Sequence, residues 1–364
     1  MRIPFLDLSI KDPEHKAELL LAVEKVLIHG RIVHGPEVDK FEKQIAQFIG
    51  RKHAVGVASG TDAVYLALRA LDIGSGDEVI TTPLSWIATF NAIAACGAIP
   101  VSVDIRQDLN IDPFLIEQAI TPNTKAILPV HFTGKPCEMD VILSIAKKHS
   151  LFVIEDAAQG FGAAFKGSPV GGFGNIGAVS LNPMKVLKSF GNAGVILTDD
   201  YELQERIRRL TYAGTINAEE CIEIALNSKI DTIQAAMVLV NFRYFNSVLA
   251  RRSEVAIRYD ILLSDVVICP KRNLDYKHSY YTYTILAENR DELQNYLTSR
   301  GIETKVQHLV LMPEQPAYNY LPTKTYPVAE DLRNKILSIP AHENTTEEEQ
   351  MYISECVHEF YSPK

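Results

Sequence analysis

From residue 54 to residue 200 the chain alternates short β-rich runs with helical stretches, and no other feature limits its fold as strongly. Residues 54–59 (AVGVAS) read as a strand. Residues 61–71 read as an amphipathic helix, with Val64, Ala67, Leu68 and Leu71 spaced to share one face. Further strands are expected at 78–82, 100–104, 126–132, 151–155, 179–182 and 194–198, with helical stretches such as Met139–His149 between them. Strands joined through helices imply βαβ units and a mainly parallel sheet covered on both faces. In such sheets ligands gather at the carboxyl ends of the strands. After residue 200 the pattern changes. Residues 233–263 read as one long helix, followed by a strand at 280–286, a helix at 291–300 and a strand at 301–306. The expected organisation is a large α/β domain over 1–245 and a smaller α+β domain over 246–364, a division that suits a chain of 364 residues.

Composition excludes several function classes. The net charge of -9 argues against nucleic acid and membrane surfaces, which favour basic stripes. No apolar run approaches the length a membrane span needs, and no apolar stretch follows Met1-Arg2-Ile3-Pro4 as a secretory signal would require. Five scattered cysteines, Cys96, Cys137, Cys221, Cys269 and Cys356, form no C-x-x-C pair, and the ten histidines show no ligand spacing. No metal site or disulfide framework is expected, and a cytoplasmic setting is.

Three motifs carry chemistry. Ser59-Gly60-Thr61-Asp62 sits between a strand and a helix. Free N–H groups and the helix dipole there would favour a phosphate, and a simple N-cap by Ser59 or Thr61 would explain the same residues. In Val153-Ile154-Glu155-Asp156-Ala157-Ala158-Gln159 a carboxylate closes a buried strand, where it needs a cationic partner or serves as a cap for the next helix. Ser180-Leu181-Asn182-Pro183-Met184-Lys185-Val186-Leu187-Lys188, with Gly191-Asn192-Ala193-Gly194, offers two lysines three apart, and chemistry alone does not choose between them. A lysine that acts as a nucleophile must first lose its proton. A fourth pattern, Gly172-Phe173-Gly174-Asn175-Ile176-Gly177, fits G-x-G-x-x-G. It does not follow a strand, and a β-like run rather than a helix follows it, so a nicotinamide site is rejected.

Taken in order, SGTDA, TTPLSWIATFNAI, ILPVHFTGKPCEMD, VIEDAAQ, S-x-x-P-x-K and G-x-x-G resemble the DegT/DnrJ/StrS family of sugar aminotransferases, fold-type I pyridoxal-phosphate enzymes. Gly35-Pro36-Glu37-Val38, the stretch from Asn227 to Ala236, Gln315-Pro316-Ala317-Tyr318 and Leu337-Ser338-Ile339-Pro340 extend the resemblance over nearly the whole chain. It implies an aspartate-aminotransferase-like large domain, pyridoxal 5′-phosphate as cofactor, and a homodimer with shared sites.

The resemblance also implies roles. Lys185 would carry the cofactor as a Schiff base and act as general base and acid, while Lys188 falls where many members have a small residue. Asp156 would pair with the pyridine nitrogen, Gln159 would bond the phenolic oxygen, and Trp86 would stack on the ring. Gly60, Thr61 and Ser180 would hold the phosphate, with Asn227 reaching it from the neighbouring subunit. The implied reaction moves an amino group from L-glutamate to a nucleotide-linked keto-sugar in amino-sugar or polysaccharide biosynthesis. A small phosphorylated ketone as acceptor, or a non-catalytic regulatory relative, are the alternatives. Asn182 stands where His or Tyr is common, Asn192 where Asp or Glu is common, and residues 305–312 match the family's substrate-side loop loosely.

Overall fold

A computed structural model of the chain describes residues 2–362. Met1, Pro363 and Lys364, at the ends of the two expected domains, lie outside the described residues.

The described part opens with α1 (Pro13–His29) and α2 (Pro36–Ile49). A strand–helix passage follows: β1 (His53–Val57), α3 (Gly60–Ala70), β2 (Glu78–Thr81), α4 (Ala88–Ala95), β3 (Ile99–Ser102), α5 (Pro113–Ile116), β4 (Thr124–Ile127), α6 (Met139–His149) and β5 (Phe152–Asp156). The short strands β6 (Ala164–Phe165) and β7 (Ser168–Pro169) precede β8 (Ile176–Ser180), β9 (Gly194–Thr198) and α7 (Tyr201–Thr211). A small hairpin of β10 (Thr215–Ile216) and β11 (Glu220–Cys221) leads into the 32-residue helix α8 (Thr232–Leu263). The remainder holds β12 (Tyr276–Lys277), β13 (Tyr283–Leu286), α9 (Arg290–Ser299), α10 (Pro327–Leu332), β14 (Ile336–Ile339) and α11 (Glu347–Tyr361).

The central sheet has seven strands in the order β1-β9-β8-β5-β4-β2-β3. Every pair from β8 to β3 is parallel, while β9 is antiparallel to both β8 and β1. Only β9 therefore runs against the rest. The carboxyl ends of β1, β2, β5 and β8 lie on one edge, and the loops that leave them meet there. Buried apolar residues fill both faces of the sheet. One face packs α3, and the other packs α2 and α8 through residues such as Phe41, Ile45, Val238 and Phe245.

The expected mainly parallel, helix-covered sheet is the one observed. Some boundaries moved for local reasons. The strand expected at 126–132 ends at Ile127, because Pro129 offers no N–H and the chain then turns through Thr133 (φ 59°) and Gly134 (φ 96°). The strand expected at 280–286 begins at Tyr283, after a left-handed Tyr280 (φ 50°). The strand expected at 301–306 is not one. Ile302 pairs singly with Ile3 and Lys305 singly with Ser338, so the segment crosses between two neighbours without running along either. Gly172–Gly177 leads directly into β8, and no helix follows it.

Helix α8 runs unbroken through residue 245, the expected boundary. Its first half joins the core of the large sheet through Ala235, Val238, Phe245 and Leu249. Its second half joins the C-terminal core through Val255, Ala256, Tyr259 and Leu263.

Candidate active site

The loops at the carboxyl edge of the sheet enclose a cavity of about 260 Å³. Its walls include Gly60, Thr61, Trp86, Asp156, Gln159, Ser180 and Lys185, seven of the eight residues singled out from the sequence. These come from four strand ends, as the parallel topology requires. Asn227, the eighth, does not line the cavity of its own chain. It lies exposed on the segment between α7 and α8, its backbone bridged to Tyr212.

The N-terminus of α3 is one end of the cavity. Ser59 caps the helix by accepting from the Asp62 N–H at 3.0 Å. That leaves the N–H groups of Gly60 and Thr61 without a partner among the described residues. The capping and anion-binding readings of this motif are therefore compatible. Gly60 abuts Ser180 so closely that a Cβ on it would lie 2.4 Å from the Ser180 Cβ and 2.8 Å from its Oγ. The two amides and the Ser180 hydroxyl thus lie together on the cavity wall at the positive end of a helix dipole, a suitable cradle for a phosphate.

At the other end is Asp156, buried at the close of β5. Thr89 Oγ1 donates to its Oδ2 at 2.8 Å and the Ala158 N–H to its Oδ1 at 3.1 Å. Burial still holds its pKa above the ordinary carboxylate value, against the smaller lowering effects of those bonds and of Lys185. Its neighbour Glu155 points to the opposite face of the sheet, where it accepts from the Gly171 and Phe173 N–H groups and pairs with buried His131 at 3.0 Å. Strand alternation thus gives adjacent acids separate environments, and only Asp156 lacks a full set of partners.

Two lysines three residues apart are separated as sharply. Lys185 lies on the loop joining antiparallel β8 and β9, with its Nζ 4.2 Å from the Tyr281 ring centroid. Burial pulls its pKa down to about 8, opposed by the attraction of Asp156. Lys188 instead pairs with Glu343 at 3.0 Å, and Glu343 pairs with the buried Arg252 at 2.7 Å. Lys188 is therefore engaged with the C-terminal segment through Glu343, while Lys185 lines the cavity.

Gln159 accepts from the Thr133 N–H through Oε1 at 2.9 Å, which leaves its amide nitrogen free to donate. Trp86 stands at the mouth, 60% exposed, 5.8 Å from the His308 ring. Asn182 Nδ2 donates to Asn192 Oδ1 at 3.0 Å, so the two positions that depart from the resemblance form one pair on the cavity wall. Sequence reasoning did not single out Thr89 or Tyr281. Thr89 lies three residues past Trp86 at the start of α4, a proximity that could have flagged it. Tyr281 is far away in sequence and carries no local signal.

The donor set fits pyridoxal phosphate. A low-pKa lysine for an aldehyde, a buried acid lacking a strong cation for a pyridine nitrogen, and a free-amide cradle for a phosphate face one cavity. Among the described residues no cluster of side chains suits a metal ion, and no helix is long and apolar enough to cross a membrane.

Comparison with known proteins bears on the family, the fold and the cofactor. The chain matches the model of the DegT/DnrJ/EryC1/StrS aminotransferase family over residues 13–358. It is 39% identical to a pleiotropic regulatory protein of Geobacillus stearothermophilus, over 99% of both chains. It is 38% identical to dTDP-3-amino-3,4,6-trideoxy-α-D-glucose transaminase of Streptomyces venezuelae, over 99% of this chain and 96% of that one. The crystal structure of S. venezuelae DesV in complex with a ketimine intermediate superposes with a TM-score of 0.96 at 37% identity, covering 100% of this chain and 99% of that one. The chain belongs to the DegT/DnrJ/EryC1/StrS aminotransferase family, whose members depend on pyridoxal phosphate.

Proposed function

We propose that the protein transfers an amino group from L-glutamate to a nucleotide-linked keto-sugar, working in the cytoplasm as a homodimer. The observation that carries the catalytic reading is Lys185, its pKa lowered to about 8, facing buried Asp156 across a cavity that ends in the Gly60–Thr61 cradle. The names of relatives that act on keto-sugars support the acceptor class.

When bound, pyridoxal phosphate supplies the electron sink that proton loss from the donor α-carbon requires. Lys185 would hold the cofactor at rest. Its freed Nζ would serve as the base that takes the proton from that carbon and as the acid that delivers it to the cofactor's 4′ carbon, as a group titrating near the working pH can. Asp156 would keep a proton on the pyridine nitrogen by supplying a negative charge. Gln159 would donate its free amide to the phenolic oxygen, and Trp86 would cover the ring. Gly60, Thr61 and Ser180 would hold the phosphate.

Asn227 would complete that phosphate site from the neighbouring subunit. Its exposed surroundings support this reading. Ile222, Ile224 and Leu226 beside it are exposed, Ile224 at 88%, as are Leu27, Ile28, Ile32 and Val33 of the N-terminal region. His34 sits edge-on to Tyr212 at 5.8 Å and joins the two apolar areas. An exposed apolar surface of this extent suits a second copy of the chain.

A steady-state assay with L-glutamate and a panel of nucleotide 3-keto and 4-keto sugars tests the reaction. Turnover confined to simple 2-oxo acids would overturn it. Absence of any turnover, with the cofactor firmly bound, would favour a regulatory role like that in the name of the Geobacillus relative. Mixing Lys185→Ala and Asn227→Asp chains tests the shared site. Restored activity after subunit exchange is expected, and none after proven exchange would reject it.

A further inference from the structure

The cavity has an excess of positive charge that its own residues do not balance. Its charged walls are Asp156, Lys185 and Lys305: one acid against two lysines. Asp156 faces Lys185 and would also serve the cofactor nitrogen. Lys305 forms no ion pair or side-chain hydrogen bond among the described residues. It belongs to the segment 301–306, where its own backbone pairs with Ser338.

Two residues on, Gln307 lines the same cavity. It is 4% exposed, and its Nε2 is buried without a hydrogen-bond partner. A buried amide N–H without an acceptor is a group that a bound ligand oxygen can satisfy. Lys305 and Gln307 both line this cavity and bring a cation and an amide to it together. His308, next in line, adds no charge, since burial together with Lys305 and Lys185 pushes its pKa down to about 4.

A cation beside an unpartnered amide suits an anionic oxygen group, and its depth in the cavity bears on the source. Lys305, Gln307 and His308 line the same cavity of about 260 Å³ as Lys185, so the loop lies close to the reacting nitrogen. In an amino acid the carboxylate is one bond from the carbon that bears that nitrogen. The phosphates of an extended acceptor lie several bonds further out.

We infer that Lys305 and Gln307 bind the α-carboxylate of the amino donor. The inference rests on the aminotransferase reading, but on none of its assumptions about the acceptor. The test uses the holoenzyme and its two half-reactions separately, each followed by cofactor absorbance in rapid mixing. Lys305→Met should weaken apparent binding of L-glutamate in the donor half-reaction by about tenfold or more, the usual scale for losing one charge-assisted contact. Glutarate, an unreactive dicarboxylate titrated by calorimetry, should lose the same factor. Lys305→Arg should restore most of both. If Lys305→Met fails to fold, Lys305→Gln removes the charge at similar reach. Unchanged glutamate and glutarate affinity overturns the inference. So does a loss confined to the acceptor half-reaction, which would assign the group to an acceptor anion. A wild type that aminates no keto-sugar refutes the acceptor proposal and leaves this test readable, because the donor half-reaction uses no acceptor.

Discussion

Replacing Lys185 with methionine in the cofactor-free protein isolates the energetic consequence of keeping this amine in a dry cavity. The amine titrates at about 8 when folded, against 10.5 for the free side chain. Each pKa unit corresponds to about 1.4 kcal/mol, so at neutral pH the charged amine destabilises the fold by at most about 3 kcal/mol. The direction follows from proton counts. Between the two pKa values the unfolded chain binds more protons than the folded one, so raising the pH through that window stabilises the wild type. Methionine has no proton to lose. From about pH 7 to about pH 9.5 the wild type should therefore gain about 2 kcal/mol relative to Lys185→Met. For a chain of this length that is about 2–3 °C in midpoint temperature. Asp156, deprived of Lys185, would titrate still higher and move the comparison the same way. Thermal unfolding of both proteins at equal concentration across the pH series is the assay. A gap that stays flat, or widens in favour of methionine as pH rises, refutes the desolvated-amine argument.

Other changes should separate the roles of neighbouring residues. Asp156→Asn keeps the shape and removes the charge, and should lower turnover by about 100-fold or more, because the group opposite loses its only buried anion; a near-normal rate would discredit the pairing. Gly60→Ala places a methyl group 2.4 Å from the Ser180 Cβ and should weaken cofactor retention by about tenfold, measured by dialysis and absorbance; unchanged retention would mean the cradle lies elsewhere. Lys188→Ala should keep the cofactor absorbance band and measurable turnover but lose about 1–3 kcal/mol of stability, since Glu343 then has only Arg252 as a partner. Lys185→Ala should instead abolish the band and the turnover.

The fold was legible because the alternation of strands and helices survives without tertiary information. The gathering of motifs at one cavity was legible where they lie at strand ends, since topology sends Ser59, Asp156 and Ser180 to one edge. The choice between Lys185 and Lys188 was not legible from chemistry. It depends on Glu343, more than 150 residues away, which captures one lysine and leaves the other to the cavity. Tyr281, Lys305 and Gln307 were missed as individuals for the same reason: each reaches the site through packing between distant segments. The failed strand at 301–306 shows the limit of pattern reading. An apolar alternation can mark a strand, or a segment that touches two partners once each.

Helix α8 serves as a keel common to both halves of the molecule, since Phe245 and Leu249 belong to one core while Val255 and Tyr259, a turn or two later, belong to the other. Neither half can melt without stripping one side of the same rod. Arg252 on this rod also donates to the Tyr280 carbonyl at 2.9 Å, one residue before the ring that lies against Lys185. Unfolding should accordingly be a single transition. Damage deep in the C-terminal core, at Tyr259 for instance, should first be noticed at a distance, as a protein that lets go of its cofactor.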